Sequence, residues 1–329
     1  MGPEWVWVMM SVLVLGAGFS DGCLEQERLA LLQLKPFFND LQYLPTWTEE
    51  VGSDCCRWEL VECNITTKRV TELSLNWKTS SGWIMDSTPL DISFLESIGI
   101  LTSLKTLSLY DCSLAGTLPT QGWCYLKSLE ELRLNGNALG GAIASCLGNL
   151  TFLRFLDISD NHFTGNVAST SLTNLTMLKF LSLSNNQFQV PVSFNSFADH
   201  SNLKILFSDG NKLVAEPTVF QTWPLKLQLK VFSLSNCTIE HRKLQLPNFL
   251  HYQYDLRYID LSYNNFGGIR FPDWLVENNT RLETLFMTDS SIVGPFFLPL
   301  DPHDYVRTID ISNNKMHHIP TNFCSVFPN

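Results

Sequence analysis

One phrase recurs nine times along this chain, and it restricts the possible fold more than any other property of the sequence. It reads apolar-x-apolar-x-x-Asn. Leu107 and Leu109 lead to Cys112, Leu132 and Leu134 to Asn137, Leu156 and Ile158 to Asn161, and Leu181 and Leu183 to Asn186. Leu206, with Ser208 in the second apolar slot, leads to Asn211; Phe232 and Leu234 lead to Cys237, Ile259 and Leu261 to Asn264, Leu285 and Met287 to Ser290, and Ile309 and Ile311 to Asn314. The steps between these last residues are 25, 24, 25, 25, 26, 27, 26 and 24. A period this constant marks units that stack. Alternation of apolar and polar residues makes a short strand with one buried face. The Asn follows where the chain turns away, and its amide, both donor and acceptor, can satisfy backbone groups of a buried turn. Cys112, Cys237 and Ser290 are small enough to take the same place and offer one hydrogen bond each. A single coil cannot bury its apolar face, so stacking must supply a continuous core. Each large aliphatic residue then contributes about 1.5–3 kcal/mol.

A second phrase follows the turn: LAGTLP at 114–119, LGGAIA at 139–144, FTGNVA at 163–168 and FGGIRFP at 266–272. Upstream, Glu27 to Lys35 reads ERLALLQLK, then come Trp47 and the segment DCCRWELVEC from Asp54 to Cys63. In these residues the chain resembles plant-type extracellular leucine-rich repeats behind their N-terminal cap, and as a whole the ectodomain of plant receptor-like proteins. The resemblance implies an α/β solenoid: a right-handed leucine-rich-repeat superhelix with a parallel concave β-sheet, a second short sheet and a disulfide-stapled cap. The expected organisation is a signal peptide over 1–22, the cap over 23–75 and repeats over 76–329. The coil around Val231 and the stretch from Asn76 to Ile100 depart from the pattern. The segment Glu25–Phe38, with Leu29, Leu32 and Leu34 among its apolar positions, is expected to be a helix covering the open end of the core.

The compartment follows from the leader and the cysteines. Trp5 to Phe19 is uncharged and mostly apolar, too short to span a bilayer comfortably and fitting the core of a secretory signal, although Glu4 is present and Lys and Arg are not. Nine cysteines, two of them adjacent, suit an oxidising compartment. The resemblance implies bridges Cys23–Cys55 and Cys56–Cys63. Cys124 and Cys146 stand in the outward halves of neighbouring coils, as a bridge or as separate thiols. Cys112 and Cys237 read as buried thiols of the Asn slot, and Cys324 has no obvious partner. Their spacing does not match paired C-x2-C zinc ligands, so no metal or other cofactor is expected. The chain stops at Asn329 partway through a coil, which reads as a fragment of a longer chain; the rival is a complete secreted protein.

Acidic residues outnumber basic ones, 32 to 22, for a net charge of −10. That excludes nucleic acid as a partner, since phosphate binding needs a basic surface. Sequons at Asn64, Asn149, Asn174 and Asn278 are expected to carry glycans, the last three each four residues before a strand leucine; Asn236, beside the ladder, is expected to carry less. Side chains alternating with the buried leucines face the concave sheet. The expected ligand-binding set is Tyr110, Arg133, Phe155, Asp157, Phe180, Ser182, Phe207, Asp209, Tyr258, Asp260, Phe286 and Asp310, an aromatic lane interleaved with carboxylates. The aspartates at 157, 260 and 310 have a rival role, hydrogen bonding along the sheet. No G-x-S-x-G, Walker or kinase motif is present, and no enzyme is expected.

What remains is recognition. The resemblance implies a ligand-sensing ectodomain in plant cell-surface signalling or defence, binding a peptide or protein and acting through a receptor-kinase co-receptor. Its membrane attachment would be a C-terminal anchor absent from this chain. The alternative is a secreted inhibitor of cell-wall-degrading enzymes, similar to polygalacturonase-inhibiting proteins.

Overall fold

The computed structural model describes residues 22–37, 44–75, 90–214, 226–239, 245–299, 301–318 and 320–328. The expected leader lies outside them except for Gly22, as do residues 76–89 of the irregular stretch and the side chain of Cys324. Each repeated phrase forms a three-residue strand. In chain order these are Thr106–Ser108, Glu131–Arg133, Phe155–Asp157, Phe180–Ser182, Ile205–Phe207, Val231–Ser233, Tyr258–Asp260, Thr284–Phe286 and Thr308–Asp310. With Val61–Cys63 and Val70–Ser74 they make an eleven-stranded sheet ordered as in the chain. Val61–Cys63 runs antiparallel to Val70–Ser74, and every later neighbour is parallel. Among the parallel strands from Glu131 onward the register holds: Leu132, Leu156, Leu181, Leu206, Phe232, Ile259 and Leu285 lie side by side, all buried. Val231 sits level with Ile205 and Tyr258 despite the weak local pattern.

The second phrase gives a seven-stranded parallel sheet from Leu90–Asp91 to Thr238–Ile239. It does not run through the phrase at 266–272, which forms no strand; Val293–Pro295 and Lys315–His317 pair separately beyond it. The outer side of the coils is mostly short 3-10 turns, with an α-helix at Asp273–Asn278.

The turn after each strand is held by two columns of residues. The residue before the ladder position is left-handed in all nine coils, with φ between 49 and 69° at Asp111, Gly136, Asp160, Asn185, Gly210, Asn236, Tyr263, Asp289 and Asn313. Asp, Asn and Gly tolerate this conformation, and Tyr263 is the bulky exception. Gly136 and Gly210 answer a second demand, since an added Cβ would meet the side-chain Oδ1 of Asp111 or Asn185 in the preceding coil. The ladder follows. Asn186 Oδ1 accepts from Phe163 N, and its Nδ2 donates to the carbonyls of Ile158, Leu183 and Ser184. Asn137, Asn161, Asn211, Asn264 and Asn314 repeat the arrangement. Cys112 Sγ donates to Leu75 O, and Ser290 Oγ to Leu261 O and Thr288 O. Cys237 is half-buried rather than fully buried, and burial pushes its thiol up to about 12.

A third column, three residues before Leu104, Leu129, Leu153, Leu178 and their counterparts, divides the molecule. It is Leu101, Leu126, Leu150 and Leu175 in the first coils, then His200, Gln253, Asn279 and His303 in later ones, all buried. Gln253 and Asn279 accept from Leu229 N and Leu256 N of the preceding coil and form an outer ladder. The ring nitrogens of His200 are closed off from solvent beside the carbonyls of Leu172 and Phe197, and His303 Nδ1 has no hydrogen-bond partner among the described residues.

The cap closes the first strand edge chemically as well as sterically. Its helix, Glu25–Leu34, buries Glu27, Ala30, Leu31 and Leu34. Leu29, expected inward, is 47% exposed because it lies off the i, i+3, i+4, i+7 face that those residues share. Glu27 accepts from Val70 N at the start of the strand Val70–Ser74 and pairs with Arg69 at 2.7 Å. Trp47 stacks on Trp58 and donates to Glu59 O. Disulfides join Cys23 to Cys55, Cys56 to Cys63, and Cys124 to Cys146 across neighbouring coils.

Candidate functional site

A parallel sheet usually has both faces covered, and this one packs its leucines on one face and presents the alternating side chains on the other. Two strand positions make that surface. The first runs Thr106, Glu131, Phe155, Phe180, Ile205, Val231, Tyr258, Thr284, Thr308; the second runs Ser108, Arg133, Asp157, Ser182, Phe207, Ser233, Asp260, Phe286, Asp310. Tyr110 and Asp209 lie one position further, beyond the second buried residue of their strands.

The structure brings four of the twelve expected residues into one continuous lane and two more into a separate pair. Arg133 pairs with Glu131 on its own strand and places its guanidinium 4.5 Å from the centre of the Phe155 ring. Phe155 stacks on Phe180 at 4.1 Å and 6°, and Phe180 meets Phe207 at 5.9 Å. Tyr258 and Phe286 form a second, edge-to-face pair at 5.8 Å. All six are half-buried. Ser182 is buried beneath its neighbours, and Tyr110 stands apart from the lane.

The aspartates have structural partners. Asp157, Asp260 and Asp310 each accept from the backbone amide two residues on, at Ser159, Ser262 and Ser312. Asp209 is a cross-coil junction: its carboxylate accepts from Ser184 Oγ, Ser233 Oγ and Ser235 N. The same Asp-x-Ser phrase titrates in opposite directions according to depth. Burial pushes the Asp260 carboxyl up, with the Asp209 charge adding to it, whereas the hydroxyl and amide of Ser312 pull the exposed-side Asp310 down. Burial likewise raises the Tyr258 phenol, helped by the charges of Asp260 and Asp209.

Sequence reasoning missed the left-handed column and the Ser184–Asp209–Ser233 junction. Asp, Asn or Gly one place before the ladder residue was the readable signal for the first. Asn149, Asn174 and Asn278 close the outer turns Ser145–Asn149, Ser171–Asn174 and Asp273–Asn278, all exposed and in one register. Asn64 is exposed in a turn, where its Oδ1 accepts from Thr66 N and Thr67 N. Among the described residues no His, Cys, Asp and Glu cluster could hold a metal ion, and no helix is long and apolar enough to cross a membrane.

Residues 24–64 match the leucine-rich-repeat N-terminal domain, and residues 125–148 and 255–276 match leucine-rich-repeat models. Cuscuta receptor 1 of Solanum lycopersicum is 40% identical over 240 residues, which cover 73% of this chain and 21% of that one. Receptor-like protein 15 of Arabidopsis thaliana is 30% identical across 100% of this chain and 45% of its own length. The chain thus spans less than half of these relatives. Among solved structures, a plant ice-binding protein superposes with a TM-score of 0.70 at 21% identity, covering 91% of this chain and 90% of that one. The plant peptide hormone receptor RGFR1, solved in complex with RGF2, gives a TM-score of 0.57 at 24% identity, covering 82% and 43%. Both likenesses concern the fold.

Proposed function

This chain is a leucine-rich-repeat protein with a plant-type N-terminal cap and plant receptor-like proteins for relatives, and from that premise we propose that it is a ligand-recognising ectodomain. It binds a peptide or protein on the concave face outside the plant cell and signals through a receptor-kinase partner. The observation that carries this reading is the lane Arg133–Phe155–Phe180–Phe207, a contiguous run of half-buried aromatic and guanidinium groups. Such groups dominate binding energy where they can be desolvated by a partner. Water alone does not require four apolar or cationic side chains to meet across four strands. The relatives named as receptors support the same class, and the disulfides suit an extracellular setting. The chain performs no catalysis in this reading, and the exposed Asn149, Asn174 and Asn278 carry glycans away from the concave face.

The test is a binding screen of the purified full chain against secreted plant peptides and proteins. Phe155→Ala and Phe180→Ala should each weaken a captured ligand by roughly tenfold, the size expected of an aromatic hot spot, with an unchanged urea midpoint. Undiminished binding in both variants would remove the lane from the reading. Inhibition of a polygalacturonase by the chain alone would replace it with the secreted-inhibitor alternative.

A further inference from the structure

The residue just ahead of each concave strand forms a column that the repeated phrase leaves open. In chain order it is Lys105, Glu130, Arg154, Lys179, Lys204, Lys230, Arg257, Glu283 and Arg307. Backbone bonds fix these residues as lateral neighbours: Lys179 N donates to Arg154 O, Lys204 N to Lys179 O, Lys230 N to Lys204 O and Arg257 N to Lys230 O. Five consecutive coils therefore carry a basic residue in one row, in a chain with 22 basic residues against 32 acidic ones. Glu130 bounds the row on one side, paired with Lys105 and Arg154, and Glu283 bounds it on the other.

Like charges placed opposite one another on adjacent strands repel. Little in the fold relieves them here. Among the described residues Lys179, Lys230 and Arg257 have no acidic partner within salt-bridge reach, and Lys204 Nζ donates to the carbonyls of Ser201 and Gln228. Burial, and then the charge of Lys230, hold the Lys204 ammonium below the usual lysine range, against a smaller opposing pull from Asp255. Arg257 Nε is closed off from solvent with no hydrogen-bond partner. Alternating signs would serve solubility better, as Lys105, Glu130 and Arg154 do at the start of the column.

We propose that the row Arg154–Lys179–Lys204–Lys230–Arg257 is a docking rail for an acidic, extended segment of a peptide ligand laid across the strands. This deepens the reading of the concave face as the recognition surface and rests on it. At 4.7–4.9 Å between strands the row is about 19 Å long, the span of about six extended residues. Alternate side chains of such a segment point to opposite sides. Acidic ones then meet the rail, and the apolar ones between them meet Phe155 and Phe180, which directly follow Arg154 and Lys179. Those two rings are stacked face to face, so they offer edges rather than flat faces. An edge suits an aliphatic side chain better than a sugar ring, which favours a peptide over an acidic polysaccharide.

The probe is a fluorescent, end-blocked hexaglutamate titrated into the purified full chain at low salt. It should bind saturably, weaken steeply as salt is added, and lose about tenfold or more in affinity in the double variant Lys179→Gln/Lys230→Gln. Lys226→Gln, whose lysine pairs with Asp199 outside the row, should leave binding unchanged. Because Lys230→Gln relieves repulsion, it should raise the melting temperature while lowering affinity, which a variant that merely misfolds cannot do. Phe180→Ala should leave the salt dependence of hexaglutamate binding as steep as before, since it removes no charge, whereas the double lysine variant should flatten it. Failure of the aromatic lane and failure of the rail therefore give different results. The rail is overturned if hexaglutamate does not bind, if Lys226→Gln weakens it as much as the double variant, or if a hexagalacturonate of equal charge binds in preference.

Discussion

The coils from Leu101 to Leu175 and those from His200 to His303 share one strand phrase and one concave sheet, yet their outer halves are held together by different chemistry. In the earlier coils the third column is leucine, the second sheet is unbroken, and the ladder residues step by 24 or 25. In the later coils that column is polar, the steps lengthen to 26, 27 and 26 before returning to 24, and the second sheet stops after Thr238–Ile239. An extra residue or two in a coil is absorbed on the outside, because the inner strand cannot lose its register without turning leucines outward. Gln253 and Asn279 then supply hydrogen bonds that the missing outer strands do not. Regularity of the inner face is compatible with considerable disorder of pattern behind it. Asp209 stands at the join and ties Ser184 of one region to Ser233 and Ser235 of the other.

Four substitutions probe this contrast, beginning with the largest effect. Asn186→Ala should cost about 3–5 kcal/mol, because it strands a buried amide and removes a donor shared by three carbonyls; urea denaturation measures it. Asp209→Ala should cost about 2–3 kcal/mol, and hydrogen exchange should show protection lost on both sides of the join rather than on one. A loss confined to one side would mean the two regions are coupled through the backbone sheet alone.

The third probe is acidity. Burial depresses the imidazole pKa of His200, against the opposing carbonyls of Leu172 and Phe197 and the Asp199 charge, and burial also depresses that of His303. The unfolded state therefore binds the proton more readily. The stability these groups support is fully present above their unfolded pKa, about 6.5, and is lost as pH falls below it. Protection factors should fall between pH 7 and pH 5 more in the later coils than in the earlier ones. His200→Leu, which restores the earlier pattern, should flatten that dependence. The smallest effect is expected from Cys237→Asn, a gain of at most about 1 kcal/mol from two better donors to the carbonyls that Sγ now reaches at 3.4 and 3.6 Å.

The inner architecture was legible because it is dictated by a strict period. Leucines two apart, with Asn three further on, define the strand, its buried face and the turn, so even the weak coil at Val231 falls into line. The outer halves were less legible. FGGIRFP at 266–272 carries the same phrase as its predecessors but sits in a stretched region without a neighbouring strand, which local residues do not reveal. The helix face of the cap was misassigned at Leu29 because the buried Glu27 answers to the amide of Val70, more than forty residues away. Among the site residues, the aromatic lane follows from strand alternation, whereas the partners of Asp209 depend on which serines three separate coils bring together. The basic row escaped notice for a similar reason: each lysine is unremarkable in its own coil, and only lateral registration makes it one of five.

Because every lateral contact in the inner sheet joins a coil only to its immediate neighbours, the concave face is graduated like a ruler. Gain or loss of one coil in the gene would displace every downstream side chain by a single division of about 4.8 Å while leaving the interior undisturbed. Variation in this molecule can thus proceed in whole steps of length as well as by exchange of single residues, and a new guest can be met by sliding the scale as readily as by rewriting its marks.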